Sequence, residues 1–166
     1  MVKNLFLVRH AKSDWSIPGQ KDFDRELNAR GSNDAPRMGR KLYELDVRPD
    51  LIISSPAARA KYTAEFIAEQ LRYDTEKIIL NDEVYEASVR SLLAVINDIP
   101  DDYHRVIIVG HNPTFTYIAE NLTKKNIDNI PTCGVVNIEF QIDSWKEVSG
   151  DMGTLKWFIY PKKVLD

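Results

Sequence analysis

Cysteine is almost absent from this sequence, and histidine is rare: the 166 residues include one cysteine and three histidines. A single cysteine cannot form a disulfide within the chain, and it cannot build a zinc site rich in cysteine ligands. No apolar run approaches the ~20 residues that a membrane-spanning helix needs. We therefore expect a domain that folds around a hydrophobic core, with no membrane partner.

An excess of charge of one sign is also lacking. The 22 basic and 25 acidic residues give a net charge of −3, which offers no basic surface to nucleic acid, so no nucleic-acid partner is expected. After Asn4, a run of only four apolar residues precedes Arg9, which is too short for a secretion signal, and we predict a cytoplasmic location. Because the length fits one domain and no linker or repeat interrupts it, the predicted domain covers residues 1–166.

Short apolar runs alternate along the chain with segments of helical period. Runs that are apolar at every position are typical of strands buried on both faces, as in a parallel sheet covered by helices. The predicted strands lie at residues 5–8, 51–53, 78–80, 106–109, 135–140 and 155–160.

Apolar residues spaced three and four apart predict helices between these strands, with Ser32 and Ser88 as N-caps of the first and third and Pro36 in the first turn of the first. The predicted helical segments are 35–45, 60–71, 89–96 and 115–122. The order β-α-β-α-β-α-β-α-β-β predicts an α/β fold, a three-layer α/β/α sandwich with a mostly parallel central sheet.

Cationic and imidazole side chains follow three of the predicted strands. Arg9 and His10 come directly after the first strand, Arg59 shortly after the second, and His111 soon after the fourth. Ligands of open parallel sheets bind at the carboxyl ends of the strands, so these four side chains are expected at one edge. His104 precedes the fourth strand and is expected at the opposite edge, in a structural or exposed position.

The chemistry of this edge is that of an anion site. Arginine forks match the oxygens of a phosphoryl group, and the helices that follow residues 55–56 and 112–113 add N-terminal N–H groups. The glycine-rich motifs of P-loop and dinucleotide-binding proteins are absent. Two arginines repel a cation and no compact carboxylate set accompanies them, so neither a metal nor a cofactor is expected.

Three segments resemble the signature elements of the histidine phosphatase (phosphoglycerate mutase-like) superfamily, in the same order along the chain. They are residues 7–11 (LVRHA), 54–60 (SSPAARA) and 109–112 (VGHN), and the resemblance covers residues 3–122. It implies the phosphoglycerate mutase-like fold and an enzyme that transfers a phosphoryl group without a metal.

Within the superfamily the chain is most similar to the small SixA branch of phosphohistidine phosphatases, through its length, residues 9–13 (RHAKS) and residues 25–31 (RELNARG). Ala11 stands where glycine is usual, and Ser16 falls near the position where mutases carry an asparagine. Both departures argue against a mutase. Next to this motif, Lys12 and Ser13 are candidates for lining the pocket.

The resemblance implies roles for the residues at the strand ends. His10 is the expected nucleophile; it attacks phosphorus as a neutral ring whose other N–H donates to a backbone carbonyl. Arg9, Arg59 and His111, the last in its protonated form, are expected to hold the phosphoryl oxygens. Positive charge from the two arginines disfavours protonation of His10.

A carboxylate that protonates the leaving group is found in many superfamily members. Glu86, after the third strand, is the candidate here, and Glu83 is its competitor. A phosphohistidine substrate needs less help from an acid than an alkoxide leaving group does. Arg25 is expected to pair with Asp24 or Glu26 without a further role.

The predicted function is a phosphatase whose partner is either a phosphohistidine-bearing protein or a small phosphoester. One alternative is a phosphosugar phosphatase or mutase, and another is a phosphate-binding module without catalysis. The sequence makes no prediction of oligomeric state.

Overall fold

The computed structural model describes residues 1–165, which are built around a six-stranded sheet. Its strands are β1 (Val2–Arg9), β2 (Leu51–Ser54), β3 (Ile79–Leu80), β4 (Arg105–Gly110), β5 (Val135–Gln141) and β6 (Thr154–Ile159). They lie in the order β3-β2-β4-β1-β5-β6; the first four are parallel, and β5 is antiparallel to both of its neighbours. The predicted mostly parallel sheet is confirmed.

Helices cover both faces of this sheet, which gives the predicted three layers. The helices are α1 (Ala29–Glu44), α2 (Ala58–Gln70), α3 (Val89–Asn97), α4 (Thr114–Thr123) and α5 (Pro161–Val164). One hydrophobic cluster joins α1 and α2 to the sheet, and a second cluster joins α3 and α4 to its other face. Over residues 1–165, no helix combines the length and apolar character needed to cross a membrane.

Strand β1 shows why its sequence is apolar at every position. Leu5 and Leu7 are fully buried in the cluster on the α3/α4 side, whereas Phe6 and Val8 point into the α1/α2 side. Successive strand residues face opposite sides of a sheet, so a strand covered on both sides must be apolar throughout. Each such side chain stabilises the fold by about 1.5–3 kcal/mol, and together they fix the strand that leads to His10.

The start of α1 differs from the prediction. The helix begins at Ala29, and Asn28 is its N-cap, with a side-chain oxygen that accepts a 2.8 Å hydrogen bond from the Gly31 amide. The prediction of Ser32 as the cap was wrong, because an earlier asparagine supplies the same kind of acceptor. Pro36 therefore lies well inside the helix and not in its first turn. Ser88 does cap α3, as predicted.

The third strand is shorter and more exposed than the other parallel strands. Only Ile79–Leu80 of the predicted segment 78–80 forms the strand, and both side chains are exposed. The expectation of burial on both faces was wrong here, since β3 is an edge strand that pairs with β2 alone. A run of three apolar residues does not distinguish an edge strand from a central one.

Candidate active site

The carboxyl ends of β2, β4 and β1 lie side by side, because these strands are neighbours in the sheet. His10 follows β1, His111 follows β4, and Arg59 lies in the first turn of the helix after β2. A cavity of about 220 Å³ opens at this edge. Its lining residues are Arg9, His10, Lys12, Ser13, Trp15, Arg25, Arg59, His111, Asn112 and Thr132.

Backbone and side-chain hydrogen bonds fix the segment that carries His10. The His10 amide donates to the Gly110 carbonyl at 3.0 Å, which continues the pairing of β1 with β4 beyond the strand. The Thr63 hydroxyl accepts from the Ala11 amide at 3.0 Å and donates to the Arg59 carbonyl at 2.7 Å. This one threonine ties the loop after β1 to the first turn of α2, so the nucleophile candidate and the arginine are held by the same side chain.

His10 is nearly buried, and its ring has a defined tautomer. Nδ1 lies 2.7 Å from the Ala11 carbonyl oxygen. Because a carbonyl oxygen can only accept, Nδ1 carries the proton and Nε2 keeps its lone pair. Burial lowers the pKa of His10 to about 4, with help from the charges of Arg59 and Arg9 and against the hydrogen bond to Ala11. The ring is therefore neutral near pH 7 and has the backbone acceptor expected from the sequence.

His111 lies next to His10, with the two ring centroids 5.2 Å apart. Its Nε2 is 2.8 Å from the Ser55 hydroxyl. Burial lowers the pKa of His111 to about 3, followed by repulsion from His10 when that ring is protonated and from Arg59, and the Asp22 carboxylate opposes this only in part. His111 is thus neutral in this structure. Desolvation outweighs the effect of the single nearby carboxylate here. That His111 is protonated when it holds phosphoryl oxygens stays a prediction.

Unpartnered polar atoms are concentrated in the same place. Among residues 1–165, four buried side-chain nitrogen or oxygen atoms lack a hydrogen-bond partner, and three of them are Arg9 Nε, Arg59 Nε and His111 Nδ1. Arg9 also donates from Nη1 to the Ile130 carbonyl at 2.9 Å, and burial lowers the pKa of its guanidinium. Buried polar groups are almost always satisfied in folded proteins. An anion with several acceptor oxygens would satisfy the arginine donors.

Asp22 contacts the site, and the sequence reasoning did not identify it. Arg59 donates from Nη1 to the Asp22 carbonyl at 2.7 Å and from Nη2 to its Oδ2 at 2.9 Å. The Tyr85 hydroxyl donates to the same Oδ2 at 2.8 Å, and Arg25 Nη2 donates to Oδ1 at 3.0 Å. Desolvation alone would raise the pKa of Asp22, but the hydrogen bonds from Tyr85, Arg59 and Arg25 lower it to about 2. The carboxylate is ionised.

Arg25 has a structural role that the expected pairing with Asp24 or Glu26 did not anticipate. It is buried, it binds Asp22 and the Ser13 hydroxyl, and its guanidinium lies 3.5 Å from the centroid of the Trp15 ring. The three-residue spacing between Asp22 and Arg25 was the sequence feature that could have indicated this ion pair. The acidic residues at 24 and 26 are equally close in sequence and were chosen as the expected partners.

Two predicted residues lie outside the cavity. Glu86 and Glu83 are exposed and are not among the residues that line the cavity. The Glu83 amide donates a 2.9 Å hydrogen bond to the side-chain oxygen of Asn81. The structure therefore does not bring the predicted acid together with His10. His104 lies at the opposite edge of the sheet, as expected, where its amide donates to Asp50. In the part of the chain that the structure describes, no group of three His, Cys, Asp or Glu side chains could hold a metal ion.

The model of the histidine phosphatase superfamily (branch 1) matches residues 5–92, more than half of the chain. The chain belongs to the histidine phosphatase superfamily. A protein assigned as the phosphohistidine phosphatase SixA of Agrobacterium tumefaciens is 30% identical in sequence, with a TM-score of 0.79 over 96% of this chain and 98% of that one. The protein histidine phosphatase SixA complexed with tungstate is 18% identical; its TM-score of 0.82, over 96% of this chain and 97% of that one, shows the shared fold.

Other relatives match only part of this chain, and their names assign them different activities. The serine/threonine-protein phosphatase Pgam5 of Drosophila ananassae is 34% identical over 77 residues, 46% of this chain and 26% of that protein. A 2,3-bisphosphoglycerate-dependent phosphoglycerate mutase of Bartonella bacilliformis is 31% identical over 102 residues, 59% of this chain and 48% of the mutase. The chain thus spans half or less of these two proteins. Membership in the superfamily and the similarity to SixA make it a phosphatase-type hydrolase.

Proposed function

We propose that the protein removes the phosphoryl group from phosphohistidine in a protein substrate, through a phosphohistidine intermediate on His10. The observation that carries this proposal is the placement of the unpartnered Arg9 Nε, Arg59 Nε and His111 Nδ1 around a cavity that His10 also lines. A phosphoryl group offers the oxygen acceptors that the arginines lack, and the neutral His10 offers the nucleophile.

The reaction has two displacements at phosphorus. In the first, the lone pair of His10 Nε2 forms a bond to phosphorus while the bond from phosphorus to the leaving group breaks. Arg9, Arg59 and His111 bind the oxygens and stabilise their charge in the transition state. In the second, the oxygen of a water molecule forms a bond to phosphorus while the bond from phosphorus to His10 Nε2 breaks, and that electron pair returns to Nε2. One proton of the water stays on the phosphate and the other passes to solvent. Binding of a dianion raises the proton affinity of His111, which then donates to a phosphoryl oxygen.

A phosphohistidine-bearing protein fits the site better than a small phosphosugar does. The cavity of about 220 Å³ is smaller than the ~300–1,000 Å³ typical of pockets that enclose a small molecule, so it suits a phosphoryl group whose carrier stays outside. Glu86 and Glu83 lie away from it, and an imidazole leaving group depends least on an acid. The similarity to SixA over nearly the whole chain points the same way.

The boundaries and location of the protein are proposals as well. We propose that residues 1–166 form a single histidine phosphatase domain, of which Asp166 lies outside the described residues. A cytoplasmic location remains a prediction.

Hydrolysis of p-nitrophenyl phosphate by the wild type and by His10→Ala tests the nucleophile. We expect turnover that EDTA leaves intact and that His10→Ala reduces at least a thousandfold, because this variant removes the protein atom that forms a bond to phosphorus. His104→Ala, at the opposite sheet edge, is the matched control and should retain activity. Circular dichroism confirms that both variants fold. Equal rates for the wild type and His10→Ala would overturn the assignment.

The second candidate is a phosphatase or mutase acting on small phosphate esters, which the partial match to the Bartonella mutase favours. A panel that compares kcat/KM for a phosphohistidine protein, phosphoserine peptides and phosphosugars decides between the two. We expect the phosphohistidine protein to rank first. A phosphosugar in first place would favour the second candidate, and phosphate binding without any turnover would favour a non-catalytic module.

A further inference from the structure

Ser55 is fixed beside His111 by the pairing of β2 with β4. Its amide donates to the Val109 carbonyl at 2.9 Å, which continues the hydrogen bonding of the two strands beyond Ser54. His111 directly follows the last residue of β4, and its Nε2 lies 2.8 Å from the Ser55 hydroxyl oxygen. Ser55 is fully buried. Backbone pairing therefore holds the hydroxyl against the ring.

The hydrogen-bonding neighbours of the Ser55 hydroxyl determine where its proton lies. The Ala57 amide donates to the hydroxyl oxygen at 3.2 Å, so this neighbour cannot accept the proton. Within residues 1–165, the other hydrogen bond of this oxygen joins it to His111 Nε2. A buried hydroxyl needs an acceptor for its proton, and a ring nitrogen that carries a lone pair is one. Ser55 therefore donates, and Nε2 of His111 accepts.

A neutral histidine whose Nε2 accepts carries its proton on Nδ1. His111 Nδ1 is buried without a hydrogen-bond partner among the described residues, and the ring lines the same cavity as His10. The opposite tautomer would leave two groups unsatisfied, which are the hydroxyl proton of Ser55 and the Nδ1 lone pair of His111. The tautomer that Ser55 favours leaves one free donor, the N–H at Nδ1.

We propose that Ser55 is a positioning residue, which fixes His111 as the Nδ1–H tautomer and thereby makes it a hydrogen-bond donor to the phosphoryl group. The proposal rests on the proposed function, because it concerns how the same site holds the phosphoryl group. His111 then donates from Nδ1 whether or not its ring takes up a second proton. A neutral donor agrees with the pKa of His111, which burial above all lowers to about 3.

His10 and His111 share this tautomer and use it in opposite ways. His10 directs its Nδ1–H to the Ala11 carbonyl, which leaves the Nε2 lone pair for phosphorus. His111 directs its Nε2 lone pair to the Ser55 hydroxyl, which leaves the Nδ1–H for a phosphoryl oxygen. A backbone acceptor makes one ring a nucleophile, and a side-chain donor makes the other an oxygen-binding group.

Nitrogen NMR of the histidine rings tests the tautomer directly. In the wild type near pH 7 we expect a proton on Nδ1 of His111 and none on Nε2. Ser55→Ala removes the donor to Nε2, so the resonances should move toward a mixture of both tautomers. Ser54→Ala is the matched control, since Ser54 is equally buried and its hydroxyl donates to the Ser55 carbonyl at 2.8 Å, not to His111. The control should keep the wild-type tautomer.

Hydrolysis of p-nitrophenyl phosphate by the same proteins tests whether the tautomer matters for activity. We expect kcat/KM to fall about tenfold in Ser55→Ala, the scale of one hydrogen bond. Ser55→Thr keeps a hydroxyl and should restore most of the activity together with the Nδ1–H tautomer. Ser54→Ala should stay close to the wild type. Circular dichroism confirms that each variant folds.

The outcomes separate this proposal from the proposed function. A proton on His111 Nε2 in the wild type would overturn the role of Ser55 without the need for a variant. An unchanged tautomer in folded Ser55→Ala would also overturn it, because a loss of activity would then come from packing alone. Wild-type enzyme with the expected tautomer and no turnover of any phosphorylated substrate would contradict the proposed function and leave the tautomer assignment intact.

Discussion

Two groups of residues follow parallel strands of the same sheet but contribute differently to the site. One group follows β1, β2 and β4, and the other is the segment after β3. The first three ends bring His10, Arg59 and His111 to one cavity. The segment after β3 leaves Glu83 and Glu86 exposed and outside it. Strands buried on both faces have a fixed register, and so do the residues directly after them. A two-residue edge strand constrains the segment after it much less.

The largest effect on activity is expected at the residues that follow the buried strands. Arg59→Ala is expected to lower kcat/KM for p-nitrophenyl phosphate about 10²–10³-fold, the usual result of removing one donor to transition-state charge. The control is Arg30→Ala, an exposed α1 residue whose carboxylate contact is Asp34, with little expected change. A loss below fivefold in Arg59→Ala would mean that this strand end does not contribute to catalysis.

Titration of the histidines is expected to have the next largest effect. Both rings have pKa values lowered from 6.5, to about 4 for His10 and about 3 for His111. As pH falls below about 6.5, the unfolded chain binds protons on these histidines before the folded chain does. The free energy of unfolding therefore decreases from about pH 6.5 toward pH 4. Its slope against pH is about 1.4 kcal/mol per pH unit for each histidine.

Urea unfolding at several pH values measures this slope, and NMR of the rings measures the pKa values directly. His10→Gln and His111→Gln should each reduce the slope between pH 6 and pH 4. Histidine rings that titrate near 6.5 in the folded protein would contradict the buried, neutral site.

A smaller effect is expected from the packing behind the His10 loop. A Cβ atom on Gly31 would clash with the Lys12 carbonyl oxygen, so Gly31→Ala must displace either α1 or the loop. We expect a loss of about 1–3 kcal/mol in stability, measured by thermal unfolding, and a reduced kcat. At Gly150 the nearest atom to an added Cβ is 3.4 Å away, so Gly150→Ala is the matched control. Unchanged stability in Gly31→Ala would show that this close approach is not required.

The smallest effects are expected at the exposed acids. Glu86→Gln and Glu83→Gln should each leave kcat/KM within twofold of the wild type, for aryl phosphates with good and poor leaving groups alike. A loss that grows as the leaving group becomes more basic would identify a general acid, and it would show that the segment after β3 does reach the reacting atoms.

Much of the fold was predictable because the determining signals are local and strong. The continuous apolar runs at residues 5–8 and 106–109 require cover on both faces, and this alone implies the three layers. The start of α1 was less predictable, since Asn28 and Ser32 are both good N-caps and the sequence does not rank them. At this start of the helix Gly31 lies against the Lys12 carbonyl oxygen, a close approach that the sequence does not reveal.

The predictable part of the candidate site was its strand-end half. His10 and His111 follow buried strands, so topology alone brings them together. Asp22 belongs to a charged turn in which Asp24 and Glu26 compete as partners for Arg25, and only the folded turn selects among them. The lowered pKa of His111 could not be predicted from the sequence either, because desolvation depends on how closely the surrounding atoms pack.

The central position of β1 has a consequence for the motions of the protein. This strand is hydrogen-bonded to β4 on one side and β5 on the other, and the His10 amide extends that ladder. Amides in such a strand exchange with solvent through global unfolding, whereas exposed segments such as the one after β3 can open locally. We therefore expect the position of His10, the proposed nucleophile, to persist until the whole domain unfolds.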